Sequence, residues 1–319
     1  MKAVVQDKYG WAEVLQVREV GRPEPAAGEV LVRVRAASLN MADWHLMAGE
    51  PTIMRLGFGF GRPKSPTRGS DVAGVIEQIG TGVTELAVGD EVFGSASGTF
   101  AEFAVAKVGR LVLKPATVSF EHAAATPMAG YTALQAVRDS GMVQTGQRVL
   151  VTGAGGGVGS FAVQLAKHFG AHVTGVCSTA KIELVSSLGA DAVIDYTAQP
   201  LVGEFDVIID TGGGRSLSVL RSHLTPRGIA VLVGDESGSR TWGPIGRTLQ
   251  AAMWSPFVGQ KLIGLLALER QADLVDLAEL LESGAIAPTI DRVFPLDETR
   301  DAMARLAAGS ARGKLVVVP

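Results

Sequence analysis

The sequence has few of the residues that build metal centres or cross-links. It holds one cysteine, Cys177, in 319 residues, which excludes an internal disulfide framework and fits a reducing compartment. Its five histidines, His45, His122, His168, His172 and His223, are scattered. Only His168 and His172 stand four apart, and the helix-ending Gly170 separates them, so no pair has the spacing of a metal site. His45 alone sits in a segment expected to line a site, two residues after Asp43. There is no basic block, and the formal charge is -3. Nothing is available to replace the counterions of a nucleic acid or to hold an anionic membrane.

Long apolar runs are also missing. The most apolar later stretch, FVGQKLIGLLAL at residues 257–268, is too short to span a bilayer and carries Gln260 and Lys261. The opening MKAVVQDKYGW has no apolar signal core and places Asp7 early, which predicts a cytoplasmic protein. With 47% hydrophobic and 19% charged residues, the composition is that of a soluble globular protein. A chain of this length predicts two domains, and the lack of a basic block points to small-molecule chemistry.

The most informative stretch is QRVLVTGAGGGVGSFAVQLAKHFG, residues 147–170. Residues 148–152 read as a short buried strand, 153–159 as a tight glycine turn, and Ser160 onward as a helix with Val158, Phe161, Leu165 and Phe169 on one face. The frame Ala154-x-Gly156-x-x-Gly159 departs from the strict dinucleotide fingerprint by one methyl at its first position. Gly156 lets the backbone approach a pyrophosphate, Gly159 lets helix and strand pack closely, and the N–H groups of the helix start face the anion. Ala154, Gly156, Gly157, Val158 and Gly159 are therefore the candidate cofactor contacts. A purely structural glycine turn is the alternative.

From residue 1 to about residue 117, short Val-rich runs alternate with turn residues: KAVVQ, EVLVRVRAASL, DVAGVIEQIG, DEVFG, FAEFAVA and RLVLK. They predict a partly open all-β domain. Between them lie a helical NMADWHLMAGE and a loop-like GFGFGRPKSPTRG. A segment that long inside a compact domain often lines a site.

From residue 118 to 271 strands alternate with helices, and six runs predict an open parallel sheet: residues 148–152, HVTGVC, DAVIDY, FDVIIDT, GIAVLVG and KLIGLLAL. Such sheets bind their ligand at the carboxyl ends of the strands, which adds Thr211 and Gly234 to the candidate contacts. Residues 272–319 add a helix, a strand, a second helix and a closing KLVVV, more than a dinucleotide fold needs. This predicts a return to the first domain.

The order of parts resembles the medium-chain dehydrogenase/reductase superfamily, in its zinc-independent quinone oxidoreductase and enone reductase branch. The resemblance runs along essentially the whole chain, through SLNMADWHLMAG, RGSDVAGVIEQIGTGV, VGDEVFG, ATPMAGYTAL, GAGGGVGSFAVQLAK, LGADAVIDY and the terminal ARGKLVVVP. It implies an α/β chain with a GroES-like β domain, a Rossmann domain with a doubly wound parallel sheet, and substrate in the cleft between them. It also implies a homodimer. Zinc-dependent relatives use Cys, His and Cys or a carboxylate. Here Asn40 stands where the first cysteine ligand would be and Asp71 where those relatives have a glutamate, so no zinc site is expected.

An NAD enzyme of this fold holds an Asp or Glu at the end of the second strand, where it bonds the ribose hydroxyls and repels a 2'-phosphate. In HVTGVCSTAK that place is taken by Cys177, followed by Ser178, Thr179 and Lys181. Hydroxyls and a cation in place of an anion predict NADPH as cofactor, with NADH weaker. The resemblance points the same way through Lys181 and Tyr196; the alternative is that Lys181 only begins the next helix in solvent. Cys177, with no partner cysteine, reads as an inert small side chain.

Without zinc, an acceptor carbonyl must be polarised by hydrogen-bond donors. The resemblance places Asn40 near the nicotinamide and matches Tyr131 and Thr132 to residues flanking the cofactor. Asn40, Asp43, Tyr131 and Thr132 are the candidate catalytic residues, although Asn40 also suits the cap of a helix beginning at Met41. The expected reaction is hydride transfer to a quinone or an α,β-unsaturated carbonyl, because conjugated acceptors spread the developing charge. An enoyl-thioester reductase and a non-catalytic NADPH-binding module are the alternatives. Tyr9, the only early tyrosine, weakens the first of these. No residue stands out as a general acid.

Overall fold

The computed structural model describes residues 1–234 and 244–319. The chain divides into two units, Met1–Tyr131 with Glu269–Pro319, and Thr132–Leu268. The strands of the first unit are β1 (Lys2–Val5), β2 (Gln16–Glu19), β3 (Glu29–Ser38), β4 (Asp71–Ile79), β5 (Glu91–Ser95), β6 (Phe103–Lys107) and β7 (Leu111–Leu113). The second unit holds β8 (Arg148–Thr152), β9 (His172–Cys177), β10 (Ala192–Asp195), β11 (Phe205–Asp210), β12 (Leu224–Leu232) and β13 (Lys261–Gly264). The first unit is completed by β14 (Ile290–Pro295) and β15 (Lys314–Val318).

In the first unit one sheet runs β14-β15-β3-β4-β5-β7, with β6 also paired to β3. The central β3 carries the pattern of a buried strand, with Val30, Leu31, Val32, Ala36 and Ala37 inside. Its register decides where the polar residues meet. Ser38 lies opposite Asp71 of β4 and opposite Val316 of β15. The chain leaving β3 at Asn40, the first residue of β4 and the first residue of β15 are thereby brought to one place. The helix Met41–Ala48 follows at once, as the sequence predicts.

The second unit is a six-stranded parallel sheet in the order β10-β9-β8-β11-β12-β13. Counted along the chain this is 3-2-1-4-5-6, the order of a Rossmann sheet, which reverses direction between β8 and β11. Its strands read as continuous apolar runs because helices cover a parallel sheet on both faces. Val149, Leu150, Val151, Val207, Ile208 and Ile209 are fully buried. The helix Gly157–His168 seats Phe161, Ala162, Leu165 and Ala166 in the interior, each large side chain contributing about 1.5–3 kcal/mol.

Several details differ from the sequence expectation. The helix after the glycine turn begins at Gly157, before Ser160, because Gly157 and Gly159 form its first turn. The strand in KLIGLLAL ends at Gly264. β2 carries little apolar signal, so the sequence pattern does not mark it; it pairs with β1. The loop-like segment contains a short helix, Arg55–Phe58. The first unit extends to Tyr131 because the helix Phe120–Ala124 packs on β3, β4 and β5.

Candidate active site

The first unit contains a buried polar cluster at the point where β3, β4 and β15 meet. Asn40, Asp43, Asp71 and Lys314 are 7%, 1%, 0% and 3% exposed. The Asn40 side-chain nitrogen donates to Asp71 Oδ2 at 2.9 Å. Lys314 Nζ donates to Asn40 Oδ1 and to the Leu39 carbonyl, and stands 3.8 Å from Asp71 Oδ2. The other Asp71 oxygen accepts from Met128 N at 3.1 Å. Asp43 accepts from the Asn40 backbone N–H at 2.9 Å and from the Ser70 hydroxyl at 2.8 Å. Asn40 also stands at the cap position of Met41–Ala48 and forms a capping box with Asp43. The cap and the polar network are thus one structure.

Burial governs the charges here. It pushes the Asp71 carboxyl up to about 7, although the Lys314 ammonium and the Asn40 amide pull the other way. The same burial raises Asp43 and lowers Lys314. Two carboxyls and one ammonium share a dry enclosure, so a proton is held there more tightly than in water. Tyr131, 4% exposed, has its hydroxyl raised by burial and by Asp71 and Glu269 nearby. Thr132 follows it within the helix Pro127–Leu134 and is the first residue of the second unit. His45 stacks edge-on against Trp44, and its Nδ1 lies 2.8 Å from the Glu50 carbonyl.

This donor set does not fit a zinc ion. Zinc prefers thiolate, imidazole and carboxylate in a tetrahedron, whereas the cluster offers an amide and two carboxyls already bonded to protein donors. An ammonium lies among them, and a divalent cation beside it would be repelled.

The glycine turn of the second unit fits an anion. Gly156 caps the helix with no side chain, and the first bond in the helical direction runs from Ser160 N to the Gly156 carbonyl. The N–H groups of Gly157, Val158 and Gly159 therefore have no acceptor within the helix. Gly153 takes a left-handed φ of 63°. Ala154 is fully buried and its N–H bonds the Val176 carbonyl at 3.0 Å, so the extra methyl in the fingerprint faces the interior. A pyrophosphate placed here would meet bare backbone donors and the positive end of the helix dipole.

At the end of β9 the predicted residues take distinct places. A methyl on Gly155 would lie 2.8 Å from Lys181 Cδ, so the lysine stem runs alongside the glycine turn. Tyr196 is 57% exposed, and its N–H bonds the Cys177 carbonyl at 3.1 Å. Ser178 precedes the short turn Thr179–Lys181. Thr179 donates its hydroxyl to Asp195, which also accepts from the Thr197 hydroxyl and N–H. The Thr179 bond, followed by that of Thr197, holds the Asp195 carboxyl below its usual range. Burial pushes the Cys177 thiol up, consistent with an inert side chain.

At the ends of β11 and β12 the structure adds a residue that sequence reasoning did not find. Arg247 donates to Asp210 Oδ2 at 2.7 Å and to the carbonyls of Arg215 and Gly213 at 2.9 and 3.0 Å, and to that of Gly234 at 3.3 Å. Asp210 accepts from Thr152, and Thr211 donates to the Thr152 carbonyl at 2.6 Å. One guanidinium thus ties together the loops that carry Thr211 and Gly234. No sequence signal marks Arg247. Lys314 had one: it is a lone cation opening an apolar strand.

Two family models match the chain: the alcohol dehydrogenase GroES-like domain over residues 26–116 and a zinc-binding dehydrogenase domain over residues 188–317. The chain is 34% identical over 338 residues to the chloroplast envelope quinone oxidoreductase homolog of Arabidopsis thaliana, covering 100% of this chain and 98% of that protein. It is 32% identical over 355 residues to the NADPH-dependent alkenal/one oxidoreductase of the same plant, covering 100% and 80%. The solved Escherichia coli quinone oxidoreductase complexed with NADPH matches with a TM-score of 0.86 at 25% identity, and both chains are covered completely. Together with the GroES-like unit and the six-stranded sheet, these likenesses establish that the chain belongs to the medium-chain dehydrogenase/reductase superfamily, in its quinone oxidoreductase branch.

Proposed function

We propose that the protein is an NADPH-dependent reductase that delivers hydride to a quinone or an α,β-unsaturated carbonyl without zinc. The observation that carries this reading is the Asn40, Asp71 and Lys314 network, which fills with an amide, a carboxyl and an ammonium the place where zinc-dependent relatives would need metal ligands. The names of the relatives support the acceptor class, since they include quinone and alkenal/one oxidoreductases.

The cofactor, when bound, supplies the hydride. The N–H groups of Gly157, Val158 and Gly159 would hold its pyrophosphate, and Lys181 with Ser178 and Tyr196 would face the 2'-phosphate. Thr211 and Gly234 shape the rest of the strand-end crevice. Thr179 acts through Asp195, because its hydroxyl is already donated there. On the acceptor side, Asn40 Nδ2 carries a second hydrogen besides the one given to Asp71, and it stabilises negative charge developing on the acceptor oxygen. Asp43 holds the backbone of Asn40, and Tyr131 and Thr132 would be the residues beside the nicotinamide, as the family resemblance implies. The sole cysteine supports a reducing compartment, read here as the cytoplasm.

The deciding experiment is stopped-flow oxidation of NADPH with a panel of quinones, enones, enoyl thioesters and alcohols, alongside metal analysis. Quinone or enone turnover that chelators leave unchanged is expected. Preference for thioesters would favour the enoyl-thioester reading, which Tyr9 does not support because its hydroxyl donates to the Gly59 carbonyl at 2.7 Å. Tight NADPH binding without turnover would leave a binding module. One zinc per chain would overturn the zinc-free mechanism.

We also propose a homodimer. β13 is one of the two edges of the six-stranded sheet among the described residues, and Leu266 and Met253 nearby in the chain are 83% and 68% exposed. Light scattering on the eluting protein should give twice the chain mass.

A further inference from the structure

Lys314 lies on the last strand, far in sequence from every candidate catalytic residue, yet its ammonium is buried against Asn40. An asparagine amide is nearly symmetric in shape, so packing alone does not choose between its two flips. Charge does. Lys314 Nζ offers only donors and bonds Asn40 Oδ1, while Asp71 Oδ2 accepts from Asn40 Nδ2 at 2.9 Å. The reversed amide would set NH2 against an ammonium, donor against donor, whether or not Asp71 carries its proton. Lys314 is itself fixed by the Leu39 carbonyl at 3.0 Å. That carbonyl belongs to the residue before Asn40, so the lysine reads the backbone and the side chain of one segment together.

We propose that Lys314 is a positioning residue of the reaction: by donating to Asn40 Oδ1 it holds the amide in one orientation, with its remaining N–H available to the acceptor. The inference rests on the reading of Asn40 as the acceptor's hydrogen-bond donor. It differs from a structural role for Lys314 in what it requires. The orienting element is a donor at position 314, while a structural role depends on the charge that balances Asp71.

Lys314→Gln and Lys314→Met separate the two, because both remove the charge and only glutamine retains a donor. Lys314→Met should lower kcat/KM for quinone reduction about ten- to a hundredfold, chiefly through kcat, the range for a lost or misaligned transition-state donor. Lys314→Gln should retain most of the activity, and both should bind NADPH as the unmodified protein does. If the methionine variant does not fold, the same pair is compared in an Asp71→Asn background, where the carboxyl that directly faces the lysine can no longer be left charged and unpaired. Equal activity of the glutamine and methionine variants in a folded background overturns the proposal. Should the unmodified protein reduce no acceptor, the functional reading fails first. The side-chain amide resonances of Asn40 then test the orientation alone: Gln should preserve and Met should change them, and an identical pair in both variants sinks the inference.

Discussion

The methyl group that Gly159 lacks would stand 2.1 Å from the carbonyl oxygen of Gly153. That atom is backbone and cannot rotate away, so the strand-to-helix turn closes only around a glycine. Gly159→Ala should weaken NADPH at least about tenfold by opening the turn that presents the three free N–H groups. Gly214→Ala is the control in the same unit, since its added methyl would meet nothing nearer than 3.9 Å. Fluorescence titration with NADPH measures both. Equal affinity in the two variants would remove the close packing from the account.

Lys181 lies beside the glycine turn, at the end of β9 where NAD enzymes hold a carboxylate. NADPH should bind more tightly than NADH, and Lys181→Ala should cost NADPH roughly 1.5–3 kcal/mol, the loss of one charge-assisted hydrogen bond, while leaving NADH nearly unchanged. Calorimetry with both cofactors checks this. The same affinity for both in the unmodified protein is the contrary result.

Asn40 has a capping role and a network role, and serine distinguishes them. Asn40→Ser keeps a capping oxygen but cannot bridge Lys314 and Asp71. A variant that melts close to the unmodified protein yet reduces quinones ten- to a thousandfold more slowly (roughly one lost donor) supports the acceptor role. Full activity with full stability would leave Asn40 as a cap only.

The folded chain retains the Asp71 proton up to about pH 7, whereas an unfolded chain releases it near pH ~4. A pKa raised on folding contributes stability that is complete below about pH 4 and is lost as the pH rises towards about 7. Chemical denaturation should therefore show the unmodified protein losing stability across that window relative to Asp71→Asn. Carbon-13 NMR should show one aspartate carboxyl titrating near neutrality. An Asp71 resonance that titrates with the exposed aspartates would contradict the buried network.

Arg247 should matter for the cofactor through the loops it ties together, not through a contact of its own. Arg247→Ala leaves Asp210 buried without its cation, which costs on the order of 3 kcal/mol. It should also loosen the loops of Thr211 and Gly234, raising the dissociation constant for both NADPH and NADH. A melting curve with an affinity series tests it. Unchanged affinity in a destabilised variant would confine Arg247 to structure.

Much of this protein is determined locally and can be read from the chain. The apolar runs of β8, β9, β11 and β12 dictate buried parallel strands, because a run without polar alternation has no face to offer water. The glycine turn follows from Gly153, Gly156 and Gly159, where backbone must approach backbone. Asn40 and Met41–Ala48 are marked by a cap and a helical pattern. What tertiary structure alone decides is which distant residues share a dry space. Lys314 meets Asn40 only because Ser38 pairs with both Asp71 and Val316, a register that local pattern does not specify. Arg247 reaches Asp210, Gly213 and Gly234 only after the sheet has set their loops side by side. Thr179 looks like a free hydroxyl until Asp195 of the neighbouring strand claims it. In each case the deciding quantity is the cost of leaving a buried polar group unpaired, and that cost exists only once the chain has folded.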